Sequence, residues 1–354
     1  MYITWIIGNG FDSNLGLETS YACFRDRVYL SDSLKSRLRD DLVNRLDVDS
    51  SDKGFKRAEL WSDLERLLGE ATKLYRQDED ELFSSTFEEM ERLLTDYVHS
   101  QELRIPSDIS DECFREFSDS ICRFDSRMVY QDRRQFDLSG ISQSNSHRFV
   151  CLNYTTSLDR FVDIAASSNW VLRSHRVGAS EYTDSVSRPF HVHSDIDASG
   201  NIIEVVFGVD SVDQIANEQF ASDPLFAQRW VKKDRNTALF GNNNEHELQR
   251  LIGGADVVCV YGCSMGESDS RIWRLVAERL LSNASFKLVL FVHGLSDRRG
   301  HDHMKYQKEC AIQIDAFKQA SGLKDDEVDL PGGRIFVVPS GDYFRFSDKL
   351  ELGE

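Results

Sequence analysis

Hydrophobic positions in this chain fall into two kinds of run. Short, nearly continuous apolar stretches occur at 2–7, Phe149–Leu152, Trp170–Leu172, Phe190–Val192, Ile202–Phe207, Asp256–Tyr261, Leu288–Val292 and Ile335–Val338. Several are rich in β-branched residues and barely alternate, which is the pattern of strands covered on both faces. Segments with helical spacing separate most of them. That alternating order predicts an α/β fold with a doubly wound, mostly parallel sheet.

One long region breaks the alternation. From about 30 to 145 no run reads as a strand, and apolar residues recur at three- and four-residue steps in Leu60–Leu68, Leu82–Tyr97 and Cys113–Phe124. These are amphipathic helices. The chain therefore divides into a sheet domain, 1–30 with 146–354, and a helical insertion at 31–145. Helices between about 55 and 130 are expected to roof the ligand crevice, with the acidic clusters Asp78–Glu81 and Glu88-Glu89 as solvated faces.

Composition narrows the partners. The 354 residues carry 42 basic against 60 acidic side chains, a net charge of −18, which disfavours duplex nucleic acid. The basic strip Arg229–Arg235, with Lys232 and Lys233, reads either as a solvated loop or as a phosphate contact. Seven cysteines are scattered, and only Cys259 and Cys263 lie close together, so buried thiols in a reducing compartment are expected and a metal site is not. The opening MYITWIIGNG lacks a basic leader, and no apolar run reaches a membrane span of about 20 residues. A cytoplasmic protein without membrane contact is the expectation.

Candidate chemistry sits where strands end. In a parallel sheet, ligands bind beyond the carboxyl ends of the strands. Strand 2–7 runs into Gly8-Asn9-Gly10-Phe11-Asp12, a glycine turn of the kind that lets a backbone approach pyrophosphate. Phe149–Leu152 leads to Asn153-Tyr154-Thr155, Phe190–Val192 to His193-Ser194, and Val257–Val260 to Tyr261-Gly262-Cys263-Ser264 with Asp269 beyond. Phe207 leads to Gly208-Val209-Asp210. Each polar exit also reads as a helix cap: Asn153 or Thr155 before one helix, Ser268 or Asp269 before another. His191, inside its strand, reads as a hydrogen-bonded structural residue. Convergence of four exits on one crevice favours a site.

These motifs resemble the bacteriophage abortive-infection AbiH family. The resemblance rests on Gly8–Asp12, Gly16-Leu17-Glu18-Thr19-Ser20-Tyr21 with Phe24, Trp61–Glu65, Asn153-Tyr154-Thr155, and Tyr261–Asp269 with Trp273. His193-Ser194 departs from the family's usual His-Gly. More distantly, the order of motifs resembles the sirtuin fold, a Rossmann-like nucleotide-binding domain, without the zinc module of sirtuin deacylases. The resemblance implies NAD as substrate or ligand, with Asn153 and His193 catalytic. It implies Gly8, Asn9, Gly10, Phe11, Asp12, Ser20, Tyr21, Thr155, Gly262, Ser264 and Asp269 as binding residues.

The implied reaction is hydrolysis of the nicotinamide–ribose bond, making the chain a candidate NAD glycohydrolase. Pyridinium is already a good leaving group, so the residues need to orient water, balance positive charge and remove a proton. Asn153 has the amide for orientation. An imidazole, with its usual pKa near 6.5, suits His193 to the proton transfer. The alternative is a non-catalytic nucleotide sensor or scaffold acting through a protein partner. A phage trigger and a homo-oligomer are both compatible with either reading. A nuclease is disfavoured by the charge balance and by the lack of a carboxylate cluster at metal spacing. Dinucleotide redox chemistry is disfavoured because no acidic residue ends a second strand about 20 residues after the glycine turn.

Overall fold

The computed structural model describes residues 1–24, 64–106, 108–126, 128, 130–136, 143–196, 202–240, 243–266, 269–295, 303–324, 333–341, 343–346, 350 and 352–353. In chain order the strands are β1 (Tyr2–Ile7), β2 (Asn145–Cys151), β3 (Val171–Val177), β4 (Ser180–Val186) and β5 (Phe190–His191), then β6 (Ser194–Ile196), β7 (Ile202–Val205), β8 (Val257–Tyr261), β9 (Lys287–Val292) and β10 (Ile335–Pro339). The fold is mixed α/β around a mostly parallel sheet. Its strand order is β10-β9-β8-β1-β2-β4-β3, with β5 paired to β2. Only β3 and β4 pair antiparallel in it, at one edge.

β1 lies at the centre because both of its faces are buried. Ile3, Trp5 and Ile7 face one core with Phe117, Phe124, Phe149 and Phe161, whereas Ile6 faces a second core with Val258, Val260, Leu288 and Leu290. Burial on both faces is what a strand without polar alternation requires. Helices Asp111–Cys122, Tyr130–Phe136 and Ser157–Ala166 contribute to the first core, and helices Asn243–Gly253, Ser270–Ser282 and His303–Ser321 to the second. β1 pairs in parallel with β2 and β8, so Gly8, Leu152 and Gly262 leave the same rim.

Two expectations are corrected. Residues 202–205 do not join the main sheet: β7 pairs antiparallel with β6 in a separate two-stranded sheet. The apolar run there faces a third core instead, where Val205 and Phe207 meet Phe83, Phe87, Phe226 and Trp230. The proposed roof also divides. Helices Leu64–Ala71 and Asp80–Glu102 contribute to that third core, whereas Phe117, Phe124 and Phe136 pack on the sheet itself, against Phe149, Trp5 and Phe336 in turn. No helix among the described residues is long and apolar enough to cross a membrane.

Candidate functional site

The rim begins with two glycine turns packed against each other. Gly8 N–H donates to Tyr261 O and Gly10 N–H to Gly262 O, both at 2.9 Å. A Cβ on Gly10 would stand 2.5 Å from Gly262 Cα, and Gly262 has a φ of +69°. Glycine is therefore required by backbone meeting backbone. Phe11 N–H donates to Gly8 O at 3.0 Å, so the Gly10 and Phe11 amides, which the sequence reading reserves for pyrophosphate, are engaged within the turns. Phe11 points away from the rim, fully buried against Phe161, Phe344 and Phe346.

Asp12, in the first turn of helix Gly10–Leu15, is fully buried. Thr155 Oγ1 donates to its carboxylate at 2.8–3.0 Å, Thr19 Oγ1 lies at 3.1 Å, and Ser157 Oγ also donates to it. No cation joins this cluster among the contacts described. Burial pushes the Asp12 carboxyl up to about 6, against the lowering effect of the three hydroxyls. Thr155 thus holds Asp12 rather than capping the next helix, whose N-cap is Thr156.

The opposite wall is built from charges. Asp269 is the N-cap of helix Ser270–Ser282 but makes no side-chain cap bond. Asp210 takes that task from outside, accepting from Ser270 Oγ at 2.7 Å and Arg271 N–H at 3.1 Å. Asp269 is left to face the crevice, where its Oδ1 lies 2.9 Å from His193 Nε2 and 3.1 Å from Lys232 Nζ. The His193 contact has ion-pair distance without hydrogen-bond alignment. Lys232 Nζ also donates to Glu65 Oε2 at 2.9 Å, and Glu65 Oε1 accepts from Tyr154 OH at 3.1 Å. Tyr154 OH in turn meets Tyr21 OH at 2.8 Å.

Burial favours the neutral forms of Lys232 and Asp269, yet each is held charged by the other. Lys232 is shifted upward by Asp269 and Glu65, and Asp269 well below the carboxylate range by Lys232 and His193. Burial, reinforced by the Glu65 charge, holds the Tyr154 phenol well above its usual range. Burial likewise raises the Cys263 thiol, which disqualifies it as a ready nucleophile.

Asp12, Tyr21, Glu65, Tyr154, His193 and Asp269 line a cavity of about 380 Å³ with the glycine turns. That size falls within the range of small-molecule sites, roughly 300–1,000 Å³. Asn153, His193 and Trp273 line it, and each is at most 5% exposed. Both amide atoms of Asn153, both ring nitrogens of His193 and Trp273 Nε1 lack hydrogen-bond partners. A buried polar group left unsatisfied costs about 1–3 kcal/mol, so their concentration at one cavity marks a place shaped for a polar guest. Among the described residues, no group of three or more His, Cys, Asp or Glu could hold a metal ion.

The family model for bacteriophage abortive infection AbiH matches residues 4–291. The chain belongs to the AbiH family. No curated protein matches it. The AbiH match covers every residue that lines the cavity.

Of the anticipated AbiH site residues, Gly8, Asn9, Gly10, Asp12, Ser20, Tyr21, Asn153, His193, Gly262, Ser264 and Asp269 line this one cavity. Phe11 and Thr155 do not: the first belongs to the core and the second supports Asp12. The fourth anticipated exit, Gly208–Asp210, contributes indirectly, through Gly208 N–H on Glu65 at 3.4 Å and Asp210 on the Ser270 helix. Trp61, Ser62 and Asp63 of the Trp61–Glu65 motif, and Ser268, lie outside the described residues. Glu65 itself lines the cavity instead of a solvated helix face.

The basic strip falls on helices Pro224–Trp230 and Lys232–Phe240 rather than on a loop. Arg229 pairs with Glu88 at 2.6 Å, Arg235 grips Glu91 through two nitrogens, and Lys232 is buried between Glu65 and Asp269. Lys232, Glu65, Tyr154 and Trp273 were not among the anticipated site residues. Glu65, Tyr154 and Trp273 belong to the Trp61–Glu65, Asn153–Thr155 and Tyr261–Trp273 motifs, which was the available signal, and Lys232 lay in the basic strip considered for a phosphate.

Proposed function

We propose that this AbiH protein serves abortive infection by hydrolysing the nicotinamide–ribose bond of NAD in the cavity bounded by Asn153, His193 and Asp269. The mostly parallel sheet is read as the Rossmann-like, sirtuin-like platform that the motif order implies. Asn153 and His193 carry the proposal: they leave neighbouring strands, line one cavity and keep their polar atoms unpartnered.

In this mechanism the His193 imidazole, whose Nε2 stands 2.9 Å from the Asp269 carboxylate, is the proton acceptor. His193 takes a proton from water as the water oxygen bonds to C1′. The electron pair of the breaking C1′–N bond passes to the pyridinium nitrogen, and nicotinamide leaves neutral. General-base catalysis of this kind contributes roughly 10²–10⁴ in rate. Asn153 orients the water or the ribose hydroxyls. The carboxylates of Asp269 and Glu65, which line the cavity, favour the positive charge that develops on the ribose.

The test is to incubate purified protein with NAD and follow free nicotinamide, alone and with phage-infected cell extract as trigger. Turnover that is lost in His193→Ala and Asn153→Ala, with NAD binding retained, supports the proposal. Binding without nicotinamide release under both conditions replaces the enzyme with a sensing pocket that acts through a partner.

A further inference from the structure

We infer that Lys232 is a positioning residue for His193: it shares the Asp269 carboxylate with the imidazole and so holds that imidazole ready to accept a proton. The inference deepens the reading above and rests on His193 as the base. Lys232 begins the helix Lys232–Phe240 and is 4% exposed. Its ammonium lies 2.9 Å from Glu65 and 3.1 Å from the same Asp269 oxygen that faces His193 Nε2. A cation and an imidazole therefore compete for one oxygen atom.

Lys232 lies 3.1 Å from the Asp269 oxygen that stands 2.9 Å from His193 Nε2, so the ammonium offsets a carboxylate that would otherwise act on the imidazole alone. The other groups facing this imidazole do not replace the lysine. Tyr154 approaches with its ring centroid 6.0 Å away, and Asn153, Cys263, Asp12 and Tyr21 share the cavity wall without adding a cation.

The same contacts join three distant pieces of chain. Glu65 comes from helix Leu64–Ala71 over the rim, Lys232 from beside the third core, and Asp269 from the turn after β8. Lys232 ties the helical cover to the reactive edge of the sheet, which a lysine on a solvated face would not do.

The experiment uses the full chain carrying Lys232→Met with Glu65→Gln, which removes opposite charges together and avoids stranding a buried carboxylate. Histidine NMR follows the titration of the His193 imidazole, assigned by comparison with His193→Asn, and nicotinamide release is measured across pH. The imidazole midpoint should rise by about one pH unit or more in the double variant. The acid limb of the rate profile should rise with it. Lys232→Arg, which keeps the charge, should leave the midpoint as in wild type. A folded double variant whose midpoint and profile match wild type overturns the inference and reduces Lys232 to a fold contact. Should that variant not fold, Lys232→Gln is read by the same criterion. A midpoint that moves in protein that never releases nicotinamide upholds the positioning role and defeats the NAD reading.

Discussion

Two aspartates line the same cavity and behave in opposite ways. Asp12 is held by three hydroxyl groups, and burial raises its carboxyl to about 6. Asp269 is only half-buried, with about 20% of its side chain exposed, and Lys232 and His193 force it well below the usual range. Burial alone sets no protonation state; the charge of the nearest partner decides it. One wall of the cavity is therefore prepared to be neutral at mildly acid pH and the other to stay ionised. An acid–base site needs groups whose environments separate their proton affinities in this way.

The largest effect should come from breaking the charged wall. Lys232→Met leaves the buried Glu65 carboxylate without its cation, and Asp269 without its lysine, and should cost about 3–5 kcal/mol of stability. Urea unfolding measures it, and adding Glu65→Gln should recover a large part. A loss below about 1 kcal/mol would mean that the carboxylates reach water and that the contrast with Asp12 is false.

Asp12 tests the other wall through pH. Its folded pKa of about 6 exceeds the reference 3.8, so the folded state binds the proton more tightly than the unfolded chain. Its stabilising contribution is complete below pH 3.8 and disappears as pH rises through 6, a change of order 2–3 kcal/mol. Asp12→Asn should lose that decline, so the wild-type stability should fall relative to the variant as pH rises from about 4 to 6. Parallel curves for the two proteins from pH 4 to 6.5 would show that Asp12 is ionised throughout, like Asp269.

A smaller effect tests the turn that brings the walls together. Gly262→Ala places a Cβ 2.6 Å from Gly10 Cα at a positive φ and should cost about 1–3 kcal/mol in urea unfolding. A neutral substitution would show that the two glycine turns are not in contact.

What the sequence disclosed follows the same division between local and distant causes. β1, β8, β9 and β10 were legible because burial on both faces writes itself into a continuous apolar run. β4, Ser180–Val186, was missed because a polar segment beside an edge strand carries no such run. β7 was legible as a strand, but its pairing with β6 was not, since its apolar residues serve a core built by helices far away in sequence. That Asn153 and His193 line one cavity was legible because strand ends of a parallel sheet share a rim. Glu65 and Lys232 stand 167 positions apart, and each looks locally like an ordinary helix charge. His191 was rightly separated from His193: its Nε2 meets Asp159 Oδ2 at 2.8 Å, away from the cavity lining.

The most direct measurement compares nicotinamide release from NAD by wild-type protein and by His193→Ala, after urea unfolding shows both to be folded. The account predicts release by wild type, a loss of at least about a hundredfold in the variant, and NAD binding retained by both. Equal release from the two proteins would contradict it, because the proton would then be taken by some group other than His193.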